Sequence, residues 1–405
     1  MTGSRVDPDQ GAGSVAGGAA RLGLGSAVGT VIAAGTTVLV ASRLSPADWG
    51  NVATSVSWAL GVSTLVLFGL PQLATREVAA GRLTGRDTWG AATTAALFAA
   101  PMVFLLLTVV GVPETLAALA ALLGLVLALR SGTTAPLVAA GRFRWLGAAA
   151  TVERLITLAV AVAVLLVGDP LHALLAGQCV GTGFVVVRQA RGVVRPTALR
   201  PWGVSRLVRL LGANYSFGVS ATLFAVAQMD IVLVHLLAGE EASGFYGIAS
   251  RLVLPLALVG TAVATVLLPR VATAGALVIT RRACWLGVAV LALGVGVGVL
   301  VVELALVEVL GEAYAPSVPV CVVFLFSIAL VTVNQPLVAV AQGCGLERPT
   351  ARVLAVHELI HLVVAGVGAL TLGALGAAFG YLLGNLVLLG WLGRRLVREG
   401  GVTWR

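Results

Sequence analysis

Twelve long apolar stretches, joined by short polar connections, leave this 405-residue chain little choice but to fold inside a lipid bilayer. They lie near 22–41, 51–70, 90–111, 115–137, 146–167, 170–187, 212–238, 247–268, 285–304, 317–341, 351–372 and 374–392. A hydrocarbon core of roughly 30 Å takes about 20 helical residues to cross, so each stretch is long enough. The runs are continuously apolar instead of alternating, and a backbone in lipid must satisfy its own hydrogen bonds. They are therefore read as helices and not as barrel strands.

Orientation follows from arginine, which supplies all 26 basic side chains. With the amino terminus in the cytoplasm, 22 of them fall on inner segments, among them Arg76, Arg82, Arg142, Arg188, Arg281 and Arg398. The outer connections hold only Arg43, and three more lie within spans. The positive-inside rule then places both termini in the cytoplasm of a multi-pass protein in a bacterial cell membrane. The net charge of +9 points to anionic inner-leaflet lipid as a partner, not to nucleic acid.

Trp49, Trp89, Trp145, Trp202, Trp285 and Trp391 fall near predicted span ends, where an amphipathic ring suits the headgroup level. Residues 1–20 lack the basic, apolar and small-residue order of a secretory signal and are expected to be a disordered cytoplasmic tail. Cys179, Cys284, Cys321 and Cys344 show neither a zinc spacing nor a disulfide framework and are assigned to packing.

Outer connections around Val112 to Glu114, Gly168 to Asp169 and Leu372 to Gly373 are too short to house soluble chemistry. The longest inner connection, rich in arginine and proline, separates six spans from six. The expected organisation is a tail at 1–20, an N-terminal six-helix lobe at 21–188, a basic linker at 189–211, a C-terminal six-helix lobe at 212–395 and a tail at 396–405. The two halves share sequence features, as transporter folds often do. The segment from Leu44 to Ser55 matches that from Leu237 to Ser250 at Gly50 and Gly244 and at the small residues that follow. Leu70-Pro71-Gln72-Leu73-Ala74-Thr75 echoes Leu268-Pro269-Arg270-Val271-Ala272-Thr273.

In these same residues a family likeness becomes visible. The acidic and glycine-containing loops after spans one and seven, Met229-Asp230-Ile231-Val232-Leu233, Gly244-Phe245-Tyr246 and Leu268-Pro269 resemble the oligosaccharide flippases of the polysaccharide-biosynthesis family. So do Val309-Leu310-Gly311-Glu312-Ala313-Tyr314, Ala341-Gln342-Gly343-Cys344-Gly345 and the stretch Leu372 to Ala378. The likeness covers roughly residues 20 to 395 and rests on the order of degenerate motifs. It implies an all-α membrane protein with about twelve helices in two six-helix lobes around a central cavity. It further implies alternating access and movement of a polyprenyl-diphosphate-linked glycan between leaflets, for cell-surface polysaccharide biosynthesis. No cofactor is implied, and a glycan polymerase or glycosyltransferases of the same pathway are the expected protein partners.

The polar residues inside spans point to candidate sites. An arginine at mid-bilayer costs about 2.5–3.5 kcal/mol on insertion scales, so one kept there faces a cavity or a partner. Arg130, Arg154 and Arg251 qualify, and a guanidinium fork suits phosphate oxygens. Arg154 is also close enough to its span end to snorkel, and Arg251 is placed to pair with Asp230 on the preceding span. Asn334-Gln335-Pro336 is expected to break the tenth helix locally. The substrate-binding candidates are thus Arg130, Arg251, Asp230, Arg154 and Asn334.

His357-Glu358-Leu359-Ile360-His361 matches H-E-x-x-H, which on a helix sets both imidazoles on one face, where zinc is one conceivable ligand. A catalytic zinc needs a third protein ligand, and none of the aspartates precedes glycine as the intramembrane metalloproteases would require. His357, Glu358 and His361 are therefore candidates for ion coupling, with no metal assigned. The rival transport reading is a cation-coupled multidrug antiporter, kept open by Asp230, Glu153, Glu303 and Glu358. The chain is not read as an enzyme.

Overall fold

The computed structural model describes residues 27–193, 201–212, 215–227, 229–257, 260–261, 263–264, 277–279, 281–344, 346–399 and 402–404. The tail at 1–20, Leu268-Pro269, Gly345, Asn214 and Gln228 lie outside these residues. Among the described residues nine helices are long and apolar enough to cross a membrane, joined by the shorter apolar helix α1 (Ala27–Ala41). The chain is an all-helical membrane protein.

Helix α2 (Pro46–Leu67) starts where Ser45 accepts the Asp48 amide at 3.2 Å and puts proline in the first turn, a favourable helix entry. Helix α3 (Leu70–Ala79) follows with no more than a kink at Phe68 and Gly69. Helix α4 (Gly85–Val110) opens on a capping box between Thr84 and Asp87. Helices α5 (Glu114–Ala139), α6 (Phe143–Leu166) and α7 (Pro170–Val193) complete the run before the linker.

The linker is partly helical: α7 continues to Val193, and α8 spans Val204–Gly212. Helix α8 is docked on α4. The Trp202 amide donates to the Gly90 carbonyl at 3.2 Å, Thr94 donates to the Trp202 carbonyl at 2.8 Å, and Arg206 lies 3.8 Å over the Trp202 ring. Leu207 is buried with Ala91, Ala92, Ala95, Ala96 and Ala99. This alanine row brings α5 close to α4 through small side chains, the usual way helices pack in lipid.

Helix α9 (Tyr215–Ala227) and α10 (Asp230–Val253) occupy the place of predicted span seven and the start of span eight. The predicted unbroken run 212–238 is interrupted: Met229 has φ −93° and ψ 4°, and Asp230 begins a new helix. Gly239, at φ +90°, breaks α10 in the connection between the two predicted spans. After a short 3₁₀ turn at Leu254–Ala257 come α11 (Arg281–Leu310), α12 (Ser317–Gly343) and α13 (Glu347–Arg398). Helix α13 is 52 residues long and divides at Gly373, φ +61°, in the connection expected from sequence. Both breaks use a left-handed backbone open to glycine at little cost. Strands β1 (Leu277–Ile279) and β2 (Val402–Trp404) pair in parallel, Leu277 against Val402.

The chain divides into two compact units. The first comprises residues 1–40 and 55–228, and the second 41–54 and 229–405. The first turns of α2 thus pack with α10 in the second unit, while the rest of that helix belongs to the first. In the second unit, Tyr314 is buried and donates to the Ala41 carbonyl at 3.2 Å. Burial also separates helices by role. The apolar window of α2 is 72% buried, whereas that of α11 is 6% buried and leaves its aliphatic surface for lipid.

Two expectations change here. Helix α12 runs through Pro336 without a break, because removing one amide donor costs a single hydrogen bond in an otherwise well-packed helix. Trp49 and Trp89 are buried core residues instead of interfacial anchors, while Trp285 is exposed as expected.

Candidate functional site

In the first unit, Arg130 projects from α5 toward α6. Its Nη1 lies 2.8 Å from Oε1 of Glu153, which also accepts from Thr182 on α7 at 3.0 Å. Glu153 is 3% exposed, and Arg130 reaches it from a half-buried position. Three helices are tied by one carboxylate. Thr133, a turn along from Arg130, donates to the Gln189 side chain at 2.6 Å. Arg154, the next residue after Glu153, has no ion pair among the described residues, and a Cβ on Gly29 would sit 3.4 Å from its Cγ. Arg130 is therefore neutralised locally, and Arg154 beside it makes no ion pair among the described residues.

The second unit holds the larger polar cluster. Asp230, at the start of α10, accepts the Ile231 amide at 2.7 Å and the Tyr246 hydroxyl at 2.8 Å. Its carboxylate meets Tyr246 and not Arg251, whose Nη2 donates to the Ala53 carbonyl at 3.4 Å. Tyr246 packs edge-on against Phe324, which touches Tyr381, which in turn packs edge-on against His361. An unbroken aromatic path thus links α10, α12 and α13.

His357 and His361 share a face of α13, as their spacing predicts, and both are buried. Glu358 lies 3.3 Å from His357 Nδ1 and 3.6 Å from His361 Nδ1, with no hydrogen bond to either. All four imidazole nitrogens are buried without a hydrogen-bond partner. Gly384, on the second arm of α13, makes room for them: a Cβ there would lie 3.3 Å from His357 Nε2. Among the described residues no three His, Cys, Asp or Glu side chains converge to hold a metal ion, so the histidine pair gains no third ligand.

Asn334 on α12 donates to the backbone and side-chain oxygens of Asn385 at 3.0 and 3.2 Å. Both asparagines line a cavity of about 480 Å³, together with Gln335, Gln342, His357, Glu358 and Tyr381. Sequence had placed Asn334 with the substrate residues and the histidines apart from it. The structure puts Asn334 and His357 on the walls of one space. Tyr246 entered only through the Gly244-Phe245-Tyr246 likeness and not as a site residue, and Tyr381 and Thr182 were not singled out, because a lone tyrosine or threonine in an apolar run carries no spacing signal.

Ionisable side chains buried inside the spans of a membrane protein mark candidate functional sites. A model of the family described as polysaccharide biosynthesis protein matches residues 15–274, and the chain belongs to that family. Comparison with curated proteins returned no significant match. Among solved structures, the chain is similar to the lipid II flippase MurJ in an inward closed conformation, with a TM-score of 0.69 at 10% identity over 94% of this chain and 88% of that one. It is also similar to a ligand complex of the MATE multidrug transporter DinF-BH, with a TM-score of 0.59 at 12% identity over 99% and 98%. A third is a transporter of the MOP superfamily from Pyrococcus furiosus, described as having a binding pocket of reverse polarity, at a TM-score of 0.56 and 14% identity over 95% and 96%. These likenesses show a shared all-helical fold.

Proposed function

We propose that this protein flips a polyprenyl-diphosphate-linked oligosaccharide from the inner to the outer leaflet of a bacterial cell membrane by alternating access. The observation that carries this reading is family membership over more than half of the chain, joined to an arginine pair retained within the spans of the first unit. A guanidinium keeps its charge when desolvated and offers a planar fork to phosphate oxygens. Arg154 is the residue assigned to the diphosphate, with Arg130 held beside it by Glu153; in the second unit, taken by itself, Arg251 is assigned to substrate binding. Asp230 and Asn334 shape the polar wall there. Both termini are cytoplasmic in this reading, and inner-surface arginines gather the anionic lipid head.

His357, Glu358 and His361 are assigned to ion coupling. Glu358 lies 3.3 Å from His357 Nδ1 and 3.6 Å from His361 Nδ1, and His and Glu grouped inside a span are the side chains from which proton relays in transporters are built. The antiporter reading needs carboxylates open to an organic cation. Glu153 is occupied by Arg130 and Thr182, and Asp230 by Tyr246, so of the carboxylates named for that reading Glu358 is the one that lines the cavity.

Reconstitution into liposomes with a polyprenyl-diphosphate oligosaccharide tests the proposal. Internal substrate should become accessible to an external glycan-cleaving enzyme faster than in protein-free liposomes. No acceleration by folded protein would count against it.

A further inference from the structure

Helix α8 presents more apolar surface than the protein covers. Leu207 is buried on the alanine row of α4, and Trp202, Leu210 and Leu211 are half-buried against the same cluster. Val204 and Val208, four residues apart and hence on one line of the helix, stay 50% and 61% exposed. That line lies beside Leu211, so the apolar arc continues past the part that α4 covers. Ser205, Arg206 and Arg209 occupy the opposite arc and are exposed.

Charge and position point the same way. Arg206 lies 3.1 Å from Asp87 and 3.8 Å over the Trp202 ring, so the carboxylate of the α4 capping box is already matched. Arg86, in the first turn of α4, and Arg209, whose Nε donates to the Ser205 carbonyl at 3.3 Å, are exposed. The bonds of Trp202 to Gly90 and Thr94 hold α8 near the start of α4, where a span leaves the hydrocarbon. A helix of 9 residues is too short to stand alone, since isolated helices below about 12 residues are marginal in water. An apolar edge, a basic opposite face and a place at a span end are the attributes of a helix lying in the plane of a membrane surface.

We propose that the exposed arc of α8 is a docking surface for anionic phospholipid. Val204 and Val208 enter the acyl boundary, and Arg209 and Arg86 meet lipid phosphates at headgroup level. A net charge of +9 attracts anionic lipid without specifying where. Helix α8 supplies one defined site, where apolar insertion and charge act together, and makes the order of this helix depend on the lipid beneath it. None of this depends on which substrate the protein moves.

The test is amide exchange across 204–212 in wild-type protein, reconstituted either in phosphatidylcholine vesicles or in an equal mixture of phosphatidylcholine and phosphatidylglycerol. Exchange should be about fivefold slower in the mixture, the effect of about one arginine at an anionic surface, and the difference should shrink as salt is added. Amides of α6 are the internal comparison and should exchange alike in both. Soluble glycerol phosphate added to the phosphatidylcholine vesicles should slow nothing. Arg209→Gln should remove the difference between the two lipids, and Val208→Ser should speed exchange of α8 in both. Equal exchange of α8 in the two vesicles would overturn the proposal on unaltered protein alone. So would slowing shared equally by α6, or slowing reproduced by glycerol phosphate. A lipid difference that persists in Arg209→Gln, or unchanged exchange in Val208→Ser, would overturn it as well.

Discussion

Gly50 and Gly244, the residues at which the two repeated segments match, pack against each other's helices: a Cβ on Gly50 would overlap the Glu240 carbonyl oxygen, and one on Gly244 the Pro46 carbonyl oxygen. Pro46 stands four residues before Gly50, and Glu240 four before Gly244, so the two approaches are reciprocal. Three residues on, a Cβ at Gly247 would lie 2.8 Å from that of Ala53. The opening turns of α2 and the second arm of α10 therefore meet along small residues with their backbones in contact.

Gly244→Val should be destabilising, because neither neighbouring carbonyl can retreat within its helix. Overpacking of this kind costs about 1–3 kcal/mol. Thermal unfolding in detergent should show a lower midpoint than wild type. Gly111→Ala, at a position with open space around the Cα but positive φ, is the comparison that separates crowding from backbone strain.

Arg130→Ala should abolish transport, and it should also lower folding yield by leaving Glu153 buried and uncompensated. Losing one partner of a buried pair costs about 3–5 kcal/mol, and Arg130's partial exposure places this case at the lower end. The double variant Arg130→Ala with Glu153→Gln should regain folding yield in membranes without regaining transport. Arg154→Ala should leave yield unchanged and still reduce flipping by tenfold or more. Normal flipping by Arg154→Ala would remove it from the diphosphate site.

Glu77 clasps the turn after α3. Arg82 first and Arg76 second hydrogen-bond its carboxylate and hold its pKa at about 2, against an ordinary 4.5. A depressed carboxylate contributes stability that is present above pH 4.5 and is lost as pH falls toward 2. Amide exchange around residues 80–84 should therefore be unchanged between pH 7 and pH 5 after correction for the intrinsic rate. Glu77→Gln should speed that exchange at both values.

Glu358→Gln should insert and fold normally but lose acceleration of flipping by an imposed pH gradient. The measurement is the initial rate with and without the gradient, in wild type and variant. A variant that still responds fully would take the His357, Glu358 and His361 cluster out of ion coupling.

Sequence showed the membrane class plainly, because a run of apolar residues as long as 317–341 has few other ways to satisfy its backbone. It also located the turns at Gly239 and Gly373, where polar or glycine-rich residues interrupt the apolar pattern. It showed that His357 and His361 share a face, since that follows from spacing alone. What joins different helices was not legible. Arg130 and Glu153 are 23 residues apart on α5 and α6, and nothing in either span states which face turns toward the other. The same is true of Asp230 and Tyr246, which meet only because α10 folds back at Gly239. The interruption near Met229 was hidden because no glycine or proline marks it, and Asp230 reads as one polar residue inside a long apolar run.

The most direct measurement is the rate at which a polyprenyl-diphosphate oligosaccharide crosses the bilayer of liposomes containing wild-type protein or Arg154→Ala. The account predicts acceleration over protein-free liposomes by the wild type and its loss in the variant. Equal rates in all three preparations, with both proteins shown to be folded, would contradict it.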